Sequence, residues 1–431
     1  MIRTLYTGLL ALAAPLFWLG LRRRARREGG AWDILGPGRF GRYPGLSAPV
    51  PGRLWIHAVS LGETRAAKPL IDGLLAAGTP LLITHATATA REECARLFAP
   101  AIAQGRLELA WLPYDFPRAM AGFLTHFRPC AGVLIEREIW PNLVAAARAA
   151  EVPLVLVSAR LSARSARGMA RLRPLMRPAF AGLDQVLAQT QADARRIAAL
   201  GASRVSVMGN LKFDVSPADA LQERGRRWRA AWGRPVLMFA STRDGEEARF
   251  LAAVQDTLDL PGNPLFLLVP RHPERFDDVA AQLAHAGLAF ARRSRMAEPA
   301  AVAPDTRWLL GDSVGEMAAY YAASDVAIIG GSFADFGGQN LVEASAAGLP
   351  VIVGPSTRNF AQAVEDALAA GAARQVEDAA AAVQLALAWL DNPAERLALR
   401  DAARTFVAAH RGATQVALAA LQPYLRHPDA R

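Results

Sequence analysis

The sequence predicts an α/β protein of two doubly wound parallel-sheet domains, and three observations carry that prediction. Short β-branched apolar runs alternate with amphipathic helical stretches along most of the chain. The alternation comes as two series, one before and one after a charged stretch from Val215 to Arg234. At 431 residues the chain exceeds one ordinary core and suits two domains of roughly 200 residues each.

The first series reads as strands at Leu54–Ala58, Pro80–Thr84, Ala131–Ile135 and Pro153–Ser158, with weaker ones at Gln185–Gln189 and Val205–Gly209. Helical patterns such as Arg65–Ala76 and Asn142–Ala150 lie between them. The second series has strands at Pro235–Ala240, Pro264–Pro270, Val326–Ile329 and Val351–Gly354. This gives a first domain over 28–214, a charged helical linker over 215–234 and a second domain over 235–431, whose last helix is a candidate to pack back on the first. Two such halves place a cleft between them, and in open α/β sheets ligands bind outside the carboxyl ends of strands.

Net charge is +10, which favours phosphate-rich or membrane-surface partners without naming which. Cys94 and Cys130 have neither metal-site spacing nor histidine neighbours, and they read as buried core thiols. No cluster has metal-ligand spacing, and there is neither a Walker sequence nor a GxSxG elbow. Lysine stands only at Lys68 and Lys212. In a chain that otherwise writes its cations as arginine, a lysine suits a place that needs a compact ammonium.

Residues 1–27 form a separate segment. Leu5 to Leu21 is almost uninterrupted apolar sequence, and Arg22-Arg-Arg-Ala-Arg-Arg27 follows it. Charges on the carboxyl side, with no small-residue cleavage site, read as a membrane anchor with the body on the cytoplasmic side. The run is short of the ~20 residues of a full span and contains Pro15. A spanning helix and a helix lying in the interface therefore both fit.

Polar residues gather at the strand ends. Ser60-Leu-Gly-Glu-Thr64 follows the first strand, where Glu63 is either a helix N-terminal charge or a general base facing the cleft. His57 reads as a core or supporting residue. Ile135-Glu-Arg-Glu138 ends another strand, and if the strand continued, Glu136 and Glu138 would point to opposite faces, so that only one addresses the cleft. Lys212 in Gly209-Asn-Leu-Lys-Phe-Asp214 is a candidate ion-pair partner for them. In the second domain, Pro270-Arg271 ends a strand with a guanidinium suited to phosphate or carboxylate, and Gly311-Asp-Ser-Val-Gly-Glu316 opens a helix. Between Gly330-Gly331 and Gly348-Leu-Pro350 lies a turn with Gly337-Gly338 and a helix expected to start at Asn340, with Glu343 one turn in. Such a unit either cradles a nucleotide phosphate at a helix start or is a plain αβ connection.

The motifs VSLGE, LPYDFP, EREIWPNL, RLSARSARG, GNLKFD, STRDGEE, LVPRHPERF, GDSVGEM, GGSFADFGGQN and GPSTRNF, in this order and behind an apolar anchor, resemble the Kdo transferases. These attach 3-deoxy-D-manno-octulosonic acid (Kdo) to lipid A precursors. The resemblance runs through almost the whole chain. It implies a GT-B fold, with two Rossmann-like domains facing across a cleft, a lipid-accepting first domain and a second domain that binds CMP-Kdo. It implies inverting transfer at the cytoplasmic face of the inner membrane, without cofactor, metal or nucleic acid. Glu63 would be the general base, with Glu136 and Lys212 stabilising the transition state. Pro270 and Arg271, Val314, Gly315 and Glu316, and Asn340, Leu341, Val342 and Glu343 would contact CMP.

The chain departs from the family pattern GGHNPLE in having Gln339 for the histidine and Leu341-Val342 for Pro-Leu. Arg358 stands where an uncharged residue is usual. Gly338, Gln339 and Arg358 are therefore further candidate donor contacts, and the histidine's role passes to an amide or is lost. A sugar-nucleotide epimerase shares the two-domain cleft but has no use for the anchor. A nucleotide sensor without catalysis needs no base at Glu63.

Overall fold

The computed structural model describes residues 2–44, 50–215, 219–255, 262–298 and 300–425. It divides into two compact units, Met1–Val215 with Arg411–Arg431, and Ser216–His410.

The first unit is built on a seven-stranded sheet of β1 (Leu54–His57), β2 (Leu81–His85), β3 (Leu107–Trp111), β4 (Ala131–Ile135), β5 (Leu154–Ala159), β6 (Gln185–Ala188) and β7 (Val205–Val207). The spatial order is β3-β2-β1-β4-β5-β6-β7, and every pairing is parallel. The order reverses between β1 and β4, so their carboxyl ends open the crevice where doubly wound sheets take ligands. Along β1, Leu54 and Ile56 enter one apolar core while Trp55 enters the other. Burial on both faces is why the central strands read as continuous apolar runs.

The second unit repeats the plan with β8 (Val236–Thr242), β9 (Leu265–Pro270), β10 (Phe290–Arg292), β11 (Trp308–Leu310), β12 (Val326–Ile329), β13 (Val351–Val353) and β14 (Ala373–Gln375). Its order is β10-β11-β9-β8-β12-β13-β14, reversing between β8 and β12. Four strands were not legible from sequence: β3, β10, β11 and β14. β3, β10 and β14 lie at or beside sheet edges, and all but β3 are three residues long. Edge strands bury only part of their side chains, so the apolar signal thins.

Residues 219–232 of the expected linker form a helix, Asp219–Trp232, that packs within the second unit through buried Trp228 and Trp232. Residues 216–218 lie outside the described residues. The helix Ala413–Leu421 belongs to the first unit, where Leu418 meets Gly73. Cys94 is buried, but Cys130 is only partly so and is not a full core thiol. It stands just before β4, packed against the margin of the core that holds Leu54 and Ile56.

Residues Ile2–Glu28 form one continuous helix, α1, through Pro15. It is apolar on two opposite faces. Leu10, Ala14, Trp18, Leu21 and Ala25 turn toward the first unit, while Leu5, Leu9, Leu12, Leu16 and Leu19 are exposed. Both ends are tied down. Tyr6 Oη donates to Asp115 Oδ2 at 2.9 Å, Asn142 Nδ2 donates to Thr7 Oγ1 at 3.0 Å, and Leu21 and Ala25 pack by Trp32, Ala88 and Trp111. Trp18 and Phe17 meet Tyr114 and Phe40 between them.

Candidate active site

In the first unit the site grows from β1 and β4. β1 ends at His57, and the chain passes into α2 (Leu61–Ala76) through Ser60, which caps it. Ser60 Oγ accepts from the Glu63 amide at 3.4 Å, while Glu63 Oε2 accepts from the amides of Val59 at 2.6 Å and Ser60 at 3.3 Å. This capping box satisfies orphan N–H groups and locks the carboxylate in place. The helix-end role weighed from sequence is therefore real. It uses one oxygen only; Oε1 accepts no hydrogen bond from the described residues. Burial, then the charges of Glu136 and Glu138, push the Glu63 carboxyl up from 4.5 to about 7, against the pull of the two amides.

β4 does not continue through Glu136. The chain turns there with φ +62°, in the left-handed region, so strand alternation does not apply. Both Glu136 and Glu138 consequently raise Glu63, where alternation would have admitted one. Glu136 is buried between two cations, with Lys212 Nζ donating to Oε1 and Arg160 Nε to Oε2, each at 2.7 Å. Burial alone would raise this carboxyl, but Lys212 and Arg160 outweigh it and hold it below its usual range. Glu138 accepts from Trp140 Nε1 at 2.9 Å, and burial raises it. His57 is fully buried, bonds Thr84 Oγ1 at 2.9 Å, and is lowered to about 3 by burial and His85, so it stays neutral as a supporting group.

Lys212 is positioned from below. The 3-10 turn Leu211–Asp214 buries Leu211 and Phe213, and Asn210 Oδ1 accepts from the Lys212 amide at 3.0 Å. The Asp214 carboxylate accepts from the amides of Gly412, at 2.7 Å, and of Thr414, at the head of helix Ala413–Leu421. Sequence reasoning missed Arg160. The rule that found Glu136 would have found it, since it follows β5 directly.

In the second unit the corresponding strand ends are β8, β9 and β12. Ser241 takes φ +59°, a left-handed kink like that at Glu136. Such outliers cluster where a fold positions functional groups. Gly330 passes so close that an added Cβ would lie 2.6 Å from Thr242 Cα. The buried Glu246 clamps the two loops together: its carboxylate accepts from the amides of Arg243 at 2.8 Å, Gly331 at 2.6 Å and Phe333 at 2.9 Å.

The expected CMP contacts fall into two groups. Arg271, after Pro270, donates through Nε to Gln339 Oε1 at 3.2 Å, so the substituted glutamine has a partner at the same turn. Gly337 and Gly338 adopt φ +83° and +79°, which favours glycine at both. The helix expected from Asn340 begins at Val342 and runs only to Ala346. Asn340 caps its first amide at 3.1 Å and donates to Glu343 Oε1 at 2.9 Å. A helix so short has little dipole, so the turn and its side chains, not a helix start, would hold an anion. Leu341 and Val342 are buried beneath it.

Val314 is exposed, and Gly315, at φ +86°, has open space around it. Glu316 is already engaged: Arg224 Nη1 at 2.8 Å, Arg293 Nη2 at 3.1 Å and Ser313 Oγ at 2.6 Å. It holds the 313–316 turn in place. Arg358 pairs with Asp335, so its charge is met on the outer side of the loop. Arg243 lies in the polar stretch Ala240–Glu247 that sequence reading places after the first strand of the second domain, but that reading gave it no role of its own. Among the described residues no group of three or more His, Cys, Asp or Glu is arranged to hold a metal ion.

Residues 37–215 match the family described as 3-Deoxy-D-manno-octulosonic-acid transferase (kdotransferase), and residues 268–406 match Glycosyl transferases group 1. The chain is 54% identical over 98% of its length to the 3-deoxy-D-manno-octulosonic acid transferase of Bordetella pertussis, covering 99% of that protein. It is 33% identical to the Haemophilus influenzae protein of the same name, over 99% of both chains. A glycosyltransferase from Rickettsia africae has the same fold, with TM-score 0.58 at 13% identity over 88% of this chain and all of that one.

Proposed function

The chain belongs to the 3-deoxy-D-manno-octulosonic acid transferase family, and we propose that it moves Kdo from CMP-Kdo to a lipid A precursor such as lipid IVA, with inversion and without a metal. The glycosyltransferase class follows from the family. The acceptor and the residue roles are the proposal.

The observation that supports it most is Glu63. A general base works best when its pKa lies near the working pH, and burial with two neighbouring glutamates lifts Glu63 to about 7. The capping box fixes Oε2 and leaves Oε1 for the proton of the acceptor hydroxyl. As that proton moves to Oε1, the hydroxyl oxygen bonds to the Kdo anomeric carbon, and the bond from that carbon to the CMP phosphate oxygen breaks. CMP leaves with the electron pair.

Lys212 and Arg160 share the single carboxylate of Glu136. Two cations held in fixed positions suit the negative charge that builds as the donor bond breaks. Preorganised charge of this kind is worth about 3–4 kcal/mol per well-placed group. In the second unit, Pro270 and Arg271, Val314 to Glu316 and Asn340 to Glu343 are the proposed CMP contacts, with Glu316 acting by holding its turn.

The proposed location is the cytoplasmic face of the inner membrane, with α1 lying in the interface and not crossing it. A helix of this length would reach roughly 40 Å, and it is bound to the first unit at both ends. A crossing helix would carry Tyr6 away from Asp115. The exposed leucines Leu5, Leu9, Leu12, Leu16 and Leu19 form a stripe suited to acyl chains. The test is incubation of purified protein with CMP-Kdo and lipid IVA in excess chelator, with mass spectrometry counting added Kdo. No product, or product only after a divalent ion is restored, would count against the reading.

A further inference from the structure

The turn between β12 and helix Val342–Ala346 is surrounded by acids, yet nearly all are engaged. Asp335 pairs with Arg358, Asp244 and Glu247 pair with Arg275, Glu246 accepts three amides, and Glu343 accepts from Asn340. Arg243, at the carboxyl end of β8, has no carboxylate within ion-pair distance among the described residues.

Its guanidinium is nevertheless held in one place. Nη1 donates to His272 Nε2 at 2.7 Å, and the guanidinium carbon lies over the Phe336 ring, 4.4 Å from its centroid. Its own amide is fixed by Glu246, the same carboxylate that fixes Gly331 and Phe333. His272 accepts this bond as a neutral ring, so it orients the cation without competing for its charge. A half-buried, pre-oriented guanidinium with unused donors is a fork waiting for a planar anion.

Arg243 follows β8, the strand beside β12, and Arg271 follows β9, the next strand out, so both cations stand at the same end of the sheet as the Gly330–Gln339 turn. Resting on the reading that the donor is CMP-Kdo, this donor carries two separate anions, a phosphodiester and the sugar's own carboxylate. Of the proposed CMP contacts only Arg271 is a cation, and it is assigned to the phosphodiester, which leaves the sugar carboxylate without an assigned partner. We propose that Arg243, oriented by His272 and Phe336, binds the carboxylate of the donor sugar and so selects an acidic sugar over a neutral one. Arg358, the cation that sequence singled out at this loop, has its charge met by Asp335 instead.

The test compares CMP with the whole donor. Calorimetry gives the CMP affinity, and steady-state transfer gives the KM for CMP-Kdo, in wild type, Arg243→Gln and Arg243→Lys. Loss of a hydrogen-bonded charge pair is expected to raise the KM about tenfold or more in Arg243→Gln. CMP affinity should stay within about twofold, which also reports that the unit is folded. Arg243→Lys should recover part of the loss. A CMP-Kdo analogue with the carboxylate converted to carboxamide should lose a similar factor in wild type and almost nothing further in Arg243→Gln. The proposal is overturned if CMP affinity falls in parallel, which would assign Arg243 to the phosphate. An unchanged KM, or fully additive losses with the carboxamide, overturns it equally. Wild type that binds CMP yet transfers no Kdo would sink the proposed function and this inference with it.

Discussion

The two units share one sheet plan and use their strand ends in opposite ways. At the ends of β1, β4, β5 and β7 the first unit brings ionisable side chains close together: buried Glu136 and half-buried Glu63, Glu138, Arg160 and Lys212. At β8, β9 and β12 the second unit relies on glycines at special backbone angles, one buried glutamate clamping amides, and arginines at the rim. Crowded carboxylates shift one another's proton affinity, which suits bond making. A stiff backbone turn with pre-aimed cations suits holding an anionic ligand. On the proposed function, one topology serves chemistry in the first unit and grip in the second.

The sharpest way to break that comparison is to neutralise the base alone. Glu63→Gln should cut kcat by about 10²–10⁴, the usual worth of general-base catalysis, while calorimetric CMP affinity stays within about twofold. Near-normal turnover would dissolve the distinction between the units. The same variant has a stability signature. Because the folded value near 7 lies above the ordinary 4.5, the folded state binds more protons across that window. Stability contributed by Glu63 is therefore full below 4.5 and is lost as pH rises toward 7. Between pH 5 and 8 the Tm of Glu63→Gln should fall less than that of wild type.

Next in size is the proposed membrane face of α1. Leu12→Glu with Leu16→Glu alters only exposed positions. Each leucine withdrawn from lipid costs about 1.5–3 kcal/mol, so sedimentation with phospholipid vesicles should drop at least tenfold. Transfer to detergent-dispersed acceptor should fall much less. Unchanged vesicle binding would remove α1 as the membrane contact.

Gly330→Ala probes the gripping unit. An added Cβ would lie 2.6 Å from Thr242 Cα and 2.7 Å from Ser241 O, both backbone atoms. Overpacking of this kind costs about 1–3 kcal/mol, and it should appear as a lower Tm together with weaker CMP binding. Weakened transfer with intact CMP affinity would contradict the assignment.

The smallest effect sharpens the chemical unit. Glu138 is one of the charges that raise Glu63. Glu138→Gln should move the acid limb of the kcat/KM profile, with its midpoint near 7 in wild type, to lower pH. A midpoint that stays put or rises would show that Glu138 does not act on the base.

Much of this was legible before any coordinates. Glu63, Glu136, Lys212 and Arg271 were found because they follow apolar runs, and a polar residue just past a buried strand is easy to see. Arg160 and Arg243 occupy equivalent places but were lost among many arginines, since residue type says nothing about which cation already has an acid. Glu316 and Arg358 show the reverse. Both looked free in sequence, and both are engaged by partners far along the chain or across a turn.

What the sequence determined by itself was the two-sheet architecture, the apolar amino-terminal helix and the family. These depend on local periodicity and on ordered motifs, which the chain displays directly. Only the tertiary structure decided that the chain turns at Glu136 so that two glutamates act on Glu63, that α1 is apolar on two faces and bound at both ends, and that Arg243 is held by His272 and Phe336 with no carboxylate partner among the described residues. Charge pairing and desolvation are set by distances between residues remote in sequence, and those distances exist only once the strands lie side by side.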